Sequence, residues 1–308
     1  MEKFPLLKSK KKLKVLVIGY GSIGKKHCEI LKKISSSIHV LTKQKVKNFN
    51  KIISLKKAKD LNPDYIVIAS KTNTHFRFIK FIEKNFLNKK ILIEKPIMEK
   101  YRPLQLRKNE YFVGYNLRFH PVILFLKKFI LKKKINYIDI NCLSYLPNWR
   151  KGIDYKKSNS AEKSGGGLLL ELSHELDYVS WLFGRMHHIY SLNKKISNLK
   201  ISTDDILIFI GKNYKNSIVH IAMNFFSRLH KREIIIEGNN FSCKADIFNN
   251  KVLVINDKKK KIYNFKKNIK TTYFKQHLAI LNGKKKSLCT VDSALSTLKE
   301  IKKIKSFK

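Results

Sequence analysis

The run KVLVIGYGSIG, from Lys14 to Gly24, constrains the fold of this chain more than any other feature. An apolar stretch leads directly into GYGSIG, which fits the pattern G-x-G-x-x-G, and a segment with helical spacing follows. In such a unit the first glycine permits a tight turn, the second lets a pyrophosphate approach the backbone, and the third lets helix and strand pack closely. The helix N-terminus supplies N–H groups for the phosphates. We therefore predict a dinucleotide site whose contacts are Gly19, Gly21, Ser22, Ile23 and Gly24.

Strands and helices alternate through the first third of the chain, whereas β-type segments follow one another from Tyr137 onward. Alternation predicts βαβ units and a parallel sheet, and consecutive β segments predict a mostly antiparallel one. A length of 308 residues suits two domains. We predict an α/β N-terminal Rossmann domain with a parallel sheet over residues 1–118. Residues 119–308 are predicted to form an α+β domain with a large, mostly antiparallel, open-faced sheet.

The formal net charge of +44 does not by itself predict a nucleic-acid partner, because the lysines are spread over the whole chain. A lysine-rich solvated surface explains this distribution, so we expect no specific nucleic-acid binding. No stretch of about 18 apolar residues is present, and we expect no membrane insertion. A basic stretch, Lys8–Lys12, precedes the apolar Val15–Ile18, but this run is too short for a signal peptide.

The four cysteines are far apart and share no C-x-x-C spacing. Metal sites and disulfide frameworks both need clustered or paired cysteines. We therefore expect reduced thiols, a cytoplasmic location and no metal cofactor.

The end of the second predicted strand, Ile38–Thr42, decides between the two nicotinamide dinucleotides. An acidic residue there binds the adenosine ribose 2′-hydroxyl, whereas a basic residue accommodates a 2′-phosphate. This strand ends without a carboxylate, and Thr42 and Lys43 are suited to a phosphate. We therefore favour NADP over NAD. The alternative, that Lys43 is one more surface lysine, stays open.

Polar residues follow two further predicted strands, in the segments Ser70–His75 and Glu94–Pro96. Ligands of open α/β sheets bind at the carboxyl ends of the strands. A lysine fixed just beyond a buried strand and followed by proline is well placed to share protons with a substrate hydroxyl. The predicted cofactor contacts in these segments are Ser70, Thr72, Asn73, His75, Glu94 and Lys95.

A glycine run at residues 165–167 introduces a predicted helix, Leu168–Leu182. Glu171, His174 and Asp177 are spaced by three and are expected near one face of that helix. A histidine flanked by carboxylates acts as a general base when one carboxylate orients its ring. The alternative is a helix cap beside a surface histidine.

Together these motifs resemble the Gfo/Idh/MocA oxidoreductase family, named for glucose–fructose oxidoreductase and inositol dehydrogenase. The resemblance covers nearly the whole chain. It rests on GYGSIG, Ala69–His75, Glu94-Lys95-Pro96, Gly114–Phe119 and the GGG…SHELD helix. The Trp149-Arg150…Tyr155 segment and the LSHELD helix are similar to members that accompany surface-polysaccharide or glycan biosynthesis. The resemblance implies an NAD(P)-dependent dehydrogenase or reductase acting on a hydroxyl or ketone of a sugar or nucleotide sugar.

By this resemblance Lys95 is the active-site lysine that touches the substrate hydroxyl near the nicotinamide. His174 matches the histidine that takes or gives the hydroxyl proton, and Asp177 supports it. Glu171 is included in the catalytic set. The candidate substrate contacts are Asn116, Arg118, Trp149, Arg150 and Tyr155.

Two positions depart from the family pattern. The family often has an aspartate four residues before the histidine, where this chain has Leu170, and Glu171 is the nearest carboxylate. The connection between Pro96 and Tyr111 is shorter than the usual helical crossover, so we expect Met98–Asn109 to be reduced or irregular.

Three alternatives and expectations accompany this hypothesis. An NAD-dependent hydrolase or epimerase with a tightly held cofactor stays possible, as does a non-catalytic NAD(P)-binding sensor or partner protein. We also expect a homo-oligomer formed through the C-terminal sheet, because an uncovered sheet of this size exposes an apolar face.

Overall fold

The computed structural model describes residues 13–150, 152, 154–162, 164–266 and 269–307. The basic stretch Lys8–Lys12 lies outside the described residues. The chain divides into two compact units. Unit 1 contains residues 13–119 and Ile269–Leu295, and unit 2 contains the described residues of 120–268 and 296–307.

The secondary-structure elements of the described residues are numbered in chain order. The strands are β1 (Lys14–Ile18), β2 (Ser37–Leu41), β3 (Asn50–Ile52), β4 (Tyr65–Ile68), β5 (Lys90–Ile93), β6 (Glu110–Val113), β7 (Ile135–Tyr145), β8 (Met186–Lys194), β9 (Ile206–Asn213), β10 (Ile218–Asn224), β11 (Phe226–Gly238), β12 (Phe241–Asp246), β13 (Lys251–Asn256), β14 (Lys259–Asn264) and β15 (Cys289–Thr290). The α-helices are α1 (Ser22–Leu31), α2 (Leu55–Leu61), α3 (His75–Asn85), α4 (Pro121–Phe129), α5 (Leu168–Glu171), α6 (Ser173–Phe183), α7 (Ile269–Leu281) and α8 (Val291–Ser306).

Unit 1 is built on a sheet in the order β15-β6-β5-β4-β1-β2-β3. Neighbouring strands from β1 to β6 are parallel, and β15 is antiparallel to β6. The central strands are apolar on both faces, because helices cover both sides of such a sheet. The order 3-2-1-4-5-6 is that of a dinucleotide-binding domain, which confirms the predicted Rossmann fold.

The connection between the parallel strands β5 and β6 contains neither helix nor strand over residues 94–109. The predicted irregular crossover is therefore confirmed. Glu83 of α3 binds the C-terminal end of this crossover. Its carboxylate accepts the N–H groups of Arg107 (2.6 Å) and Lys108 (2.8 Å). It also accepts hydrogen bonds from Asn109 Nδ2 (3.3 Å) and the Tyr111 hydroxyl (3.0 Å). The half-buried carboxylate of Glu83 thus fixes the last residues of a crossover that contains no helix.

A segment near the C-terminus completes unit 1. Leu278 and Ile280 of α7 belong to the same apolar core as Val15, Val17 and Val67. Residues 119–308 are predicted from the sequence as one domain, whereas the structure groups Ile269–Leu295 with the N-terminal residues. The first division along the chain falls after Phe119, one residue from the expected boundary.

Unit 2 is built on a sheet in the order β14-β13-β12-β11-β7-β10-β9-β8. Its neighbouring strands are antiparallel except for the parallel pair β7 and β10. Buried residues alternate along β7, β9 and β10, so one face forms a core and the other is open. This confirms the predicted mostly antiparallel, open-faced sheet. No helix in the described part of the chain is long and apolar enough to cross a membrane.

We expect Glu83→Gln to lower the free energy of unfolding at neutral pH by about 1–3 kcal/mol, because charge-assisted hydrogen bonds to the crossover are lost. Burial raises the pKa of Glu83, but the four hydrogen bonds outweigh it and lower this pKa below 4.5. The carboxylate therefore stabilises the fold above the ordinary glutamate pKa, and this contribution disappears as the pH falls through the lowered value. Urea denaturation at pH 7 and at acid pH measures both effects.

The matched control is Glu29→Gln, which neutralises an exposed glutamate on α1. Its unfolding free energy should stay within about 0.5 kcal/mol of the wild type at both pH values. Equal destabilisation by the two substitutions would contradict the role given to Glu83.

Candidate functional site

The turn from β1 into α1 has the geometry of a phosphate-binding loop. Gly19 has φ +101°, and a Cβ there would lie 2.6 Å from Ala69 O. A Cβ on Gly24 would lie 2.2 Å from Gly19 O, so the helix approaches the strand as closely as glycine allows. At Gly21 a Cβ would meet no atom within 4 Å. The backbone at Gly21 therefore faces open space that a ligand can enter.

The N-terminus of α1 is suited to an anion. Gly21 is the N-cap, no side chain caps it, and the first turn has no acidic residue. The N–H groups of the first turn, which includes Ser22 and Ile23, have no partners within the helix and point outward together with its positive dipole end. These residues fit the pyrophosphate of a dinucleotide.

The strand ends of the parallel sheet are aligned. Ile18, Ile68 and Ile93 are register partners across β1, β4 and β5. The residues that follow each strand, including Gly19 and Glu94, therefore line one edge of the sheet. β1 lies between β2 and β4, where the strand order reverses, and this is the position at which ligands bind in open α/β sheets.

The end of β2 has no carboxylate. The half-buried Thr42 accepts the Gln44 N–H at 3.2 Å through its Oγ1, and Lys43 is exposed. Lys51 Nζ, from β3, donates to Lys43 O at 3.4 Å. Two lysines thus lie at the loop where a Rossmann domain selects its adenosine ribose.

His75 ties together the ends of β4 and β5. Its Nδ1 lies 3.1 Å from Pro96 O and its Nε2 lies 3.1 Å from Ser70 O. Burial lowers the pKa of His75, although the carbonyl groups and Glu94 oppose this effect. A neutral ring donates from one nitrogen only, so its tautomer selects which carbonyl is bonded. A direct contact between His75 and a cofactor stays a prediction.

The rest of the segment after β4 forms a 3-10 turn, Thr72–Thr74. Ser70 Oγ and Thr74 Oγ1 are hydrogen-bonded at 2.8 Å. Thr72 is buried, whereas Asn73 is exposed.

Glu94 is the best-supported side chain of this edge. Its Oε1 accepts from His27 Nε2 at 2.8 Å, and its Oε2 accepts the Lys95 N–H at 3.2 Å. A Cβ on Gly114 would lie 2.8 Å from Glu94 Oε1, so the glycine makes room for the carboxylate. Lys95, the proposed active-site lysine, follows directly and is half-buried.

Two more buried side chains, His277 and Tyr65, continue the hydrogen bonds from His27, and neither was predicted from the sequence. His27 Nδ1 lies 2.9 Å from His277 Nε2, and His277 Nδ1 lies 2.8 Å from the Tyr65 hydroxyl. His27, Tyr65 and His277 are all fully buried. The signal available was a histidine on the buried face of α1, and only the fold shows that His277 returns to it.

Asn116 and Arg118 form hydrogen bonds with Ile269–Leu295, the C-terminal segment of unit 1. Asn116 Nδ2 donates to Thr272 Oγ1 at 2.7 Å. Arg118 donates to Leu288 O at 3.2 Å and to Ser293 Oγ at 2.7 Å. Both side chains are buried, which gives them a structural role in unit 1. Their contact with substrate stays a prediction.

In unit 2 the expected single helix is interrupted at Leu172. Glu171 ends α5, while His174 and Asp177 belong to α6. Only His174 and Asp177 therefore share one helix, as their spacing by three residues predicted. His174 is half-buried and Asp177 is buried. Their chemical roles stay predictions.

A buried ion pair anchors α6 to the sheet. Glu175 Oε1 accepts from Arg232 Nε at 2.7 Å and lies 2.6 Å from its Nη2. Burial opposes the charge of Arg232, but Glu175 outweighs it and raises the pKa of the guanidinium. Burial raises the pKa values of Cys142 and Tyr178 beside this pair, and Glu175 adds to both shifts. The residue after His174 is thus fixed in place.

The three predicted substrate residues of unit 2 lie together. Trp149, Arg150 and Tyr155 line one small cavity with Leu146, Ser158 and Ser160. The Trp149 ring packs edge-on against Phe225, with ring centroids 5.1 Å apart. The Tyr155 hydroxyl accepts the Lys200 N–H at 3.1 Å.

Within the described ranges, no group of three or more histidine, cysteine, aspartate or glutamate side chains has an arrangement that holds a metal ion. The four cysteines are buried thiols.

Residues 13–107 match the sequence model of the Gfo/Idh/MocA family, described as an oxidoreductase family with an NAD-binding Rossmann fold. The match includes the phosphate-binding turn and Glu94-Lys95-Pro96. No curated protein matches the chain in sequence.

Solved structures of dehydrogenases are similar to nearly the whole chain. The UDP-N-acetylglucosamine 3-dehydrogenase GnnA from Acidithiobacillus ferrooxidans has 15% identity and a TM-score of 0.74, with 95% of this chain and 96% of that chain covered. The WlbA dehydrogenase from Bordetella pertussis, in complex with NADH and UDP-GlcNAcA, has 14% identity and a TM-score of 0.76, with coverage of 96% and 97%. An oxidoreductase from Thermotoga maritima has 14% identity and a TM-score of 0.79, with the same coverage. At these identities the likeness establishes the fold.

We expect Gly21→Val to weaken NADPH binding at least about tenfold, because the side chain occupies the space that a pyrophosphate needs. The protein should still fold, since Gly21 has φ −71° and a Cβ there meets no protein atom within 4 Å. Fluorescence titration with NADPH and a thermal melt of the same sample measure the two quantities.

The comparison variant is Gly24→Ala, whose Cβ would collide with Gly19 O. It should lower the melting temperature, whereas Gly21→Val should not. Wild-type NADPH affinity in Gly21→Val would exclude this turn as the pyrophosphate site.

Proposed function

We propose that this protein is an NAD(P)-dependent oxidoreductase of the Gfo/Idh/MocA type that acts on a hydroxyl-bearing carbon, or the matching ketone, of a sugar. The observation that carries the proposal is the edge of the unit 1 sheet. There, a turn open to a pyrophosphate at Gly21 is combined with the anchored Glu94 and with Lys95. The nicotinamide cofactor supplies the hydride chemistry, and the protein supplies orientation and proton transfer.

The substrate class is proposed from two kinds of support. Two similar structures are a UDP-N-acetylglucosamine 3-dehydrogenase and a dehydrogenase in complex with UDP-GlcNAcA. In this chain, Trp149, Arg150 and Tyr155 line one cavity, which offers an aromatic ring, a cation and a hydroxyl. A nucleotide sugar used in glycan biosynthesis is the proposed substrate.

Lys95 and His174 are the proposed catalytic residues. The Lys95 ammonium is suited to polarise the substrate oxygen, because Glu94 accepts the Lys95 N–H and so holds the backbone that carries this side chain. His174 is the proposed base that takes the hydroxyl proton, with Asp177 in support and Glu171 as a further carboxylate. Proton transfer of this kind contributes about 10² to 10⁴ in rate.

NADP is the proposed cofactor. Thr42, Lys43 and Lys51 surround the end of β2, and no carboxylate follows this strand to bind a ribose 2′-hydroxyl. A cytoplasmic location is proposed because all four cysteines are buried thiols.

Self-association through the open face of the unit 2 sheet is proposed as well. The register partners Tyr137 and Ile218 are exposed on that face. Sedimentation of a monomer at micromolar concentration would contradict it.

Lys95→Met should lower kcat by about 10² to 10⁴ and leave NADPH affinity near the wild-type value, because the ammonium acts on the substrate oxygen. The assay is NADPH formation or consumption with a panel of free and UDP-linked sugars. Lys100→Met, an exposed lysine of the same crossover, is the control and should keep wild-type turnover. Normal turnover in Lys95→Met would remove Lys95 from the mechanism.

Lys43→Ala should lower kcat/KM for NADP⁺ by about tenfold or more, because one charge-assisted hydrogen bond to the 2′-phosphate is lost. It should leave kcat/KM for NAD⁺ unchanged. Lys45→Ala, an exposed lysine two residues further on, controls for the loss of general positive charge. A wild-type preference for NAD⁺ would overturn the choice of NADP.

A further inference from the structure

Four buried side chains form one line of hydrogen bonds in unit 1. The order is Glu94, His27, His277 and Tyr65, and the three links measure 2.8, 2.9 and 2.8 Å. They come from the end of β5, from α1, from α7 and from β4. The proposed chemistry of Lys95 and His174 uses none of the other three residues of this line.

An ionised Glu94 gives every link of this line one direction. The carboxylate accepts only, so His27 donates from Nε2, and in the neutral ring Nδ1 accepts. A neutral His277 then donates from Nε2 and accepts at Nδ1, and the Tyr65 hydroxyl donates to it. With one proton on each ring, every polar atom in the line has a partner.

Protonation of Glu94 would reverse all three links, and protonation of His27 would reverse the two links beyond it. His277 then donates from Nδ1 to the Tyr65 oxygen, and the Tyr65 proton needs another acceptor. Tyr65 is fully buried, and among the described residues its hydroxyl is bonded to His277 alone. A buried donor without an acceptor is costly, so the tyrosine end favours the direction that keeps Glu94 ionised.

The line does not reach solvent at its tyrosine end. Tyr65 and His277 are both fully buried. A chain closed at one end holds protons in place and does not conduct them to bulk water.

We propose that Tyr65, His277 and His27 are positioning residues that keep the Glu94 carboxylate ionised, and so keep it bound to the Lys95 N–H and hold Lys95 for its work on the substrate. The catalytic part of this inference rests on the proposed function of Lys95.

The surroundings of Glu94 agree with this arrangement. The titratable groups that face it are His27 of α1, His75 of α3, Tyr65 of β4 and the adjoining Lys95. Gly114, which follows β6, has no side chain and leaves room for the carboxylate. Burial raises the pKa of Tyr65 and lowers the pKa of His277, and a charge on the adjacent His27 would lower the pKa of His277 further. Both groups are therefore neutral, as the direction of the line requires.

The first test is the variant Tyr65→Phe, which keeps the packing and removes the directing hydroxyl. Glu94 should then protonate more readily, and the acid limb of the kcat profile should move upward by about one pH unit, a tenfold change in the ionisation equilibrium. KM for NADPH should not change, and kcat should recover at higher pH. A purely structural defect would lower kcat at every pH.

The matched control is Tyr111→Phe. It removes a tyrosine hydroxyl from the same sheet, but that hydroxyl is bonded to Glu83 and not to this line. Its acid limb should coincide with that of the wild type. A Tyr65→Phe acid limb that coincides with the wild type as well would overturn the proposal.

The second test does not depend on activity or on any variant at position 65. Nitrogen-15 NMR of histidine-labelled wild type, assigned with His27→Gln and His277→Gln, reports the two tautomers. Both rings should be neutral and protonated at Nε2 between pH 6 and 8. An imidazolium at His27, or a proton on Nδ1 of either ring, would overturn the directional line. If Lys95→Met kept its turnover while both rings carried the expected protons, the proposed function would fail and the ionised Glu94 would stand.

Discussion

The alignment of strand ends in the parallel sheet is the constraint on which the rest of unit 1 depends. Ile18, Ile68 and Ile93 are in register, so the glycine turn, the Ser70 segment and Glu94-Lys95 lie along one edge. At this edge α1 lies directly on the end of β1, so closely that a Cβ on Gly24 would collide with Gly19 O. A side chain at position 24 would move the helix and change both the open space at Gly21 and the approach of His27 to Glu94.

The edge is completed by residues far away in the chain. His277 lies 250 positions after its partner His27, and Gln276 Nε2 donates to Val113 O at 3.3 Å. The order of elements along a chain predicts neighbouring strands, but it gives no information on which late helix returns to an early sheet. The irregular crossover was visible in the sequence because its length is too short for a helix. The anchoring role of Glu83 could not be predicted, because the four residues that bind its carboxylate lie more than 20 positions away in the sequence.

The secondary structure of unit 2 was harder to predict for a different reason. β8 has only two buried residues in nine, so its alternation is weak. The first half of β11 is polar and largely exposed, and only its apolar end, near Ile234 and Ile236, has the alternating burial typical of a strand. Long edges of an open-faced sheet are solvated, and the period of two in their burial is lost. The interruption at Leu172 is equally hidden, because LLLELSHEL has an uninterrupted helical pattern.

A common device supports the two candidate catalytic side chains. Lys95 follows the buried Glu94, and His174 precedes the buried Glu175. Each carboxylate is bound by a base from a different element, His27 in unit 1 and Arg232 in unit 2. These contacts fix the position of the adjoining backbone, because removal of His27 or of Arg232 would leave a buried carboxylate without its hydrogen-bond partner. The backbone of a reactive side chain next to such an anchor is held in place, which is the requirement for chemistry that depends on alignment.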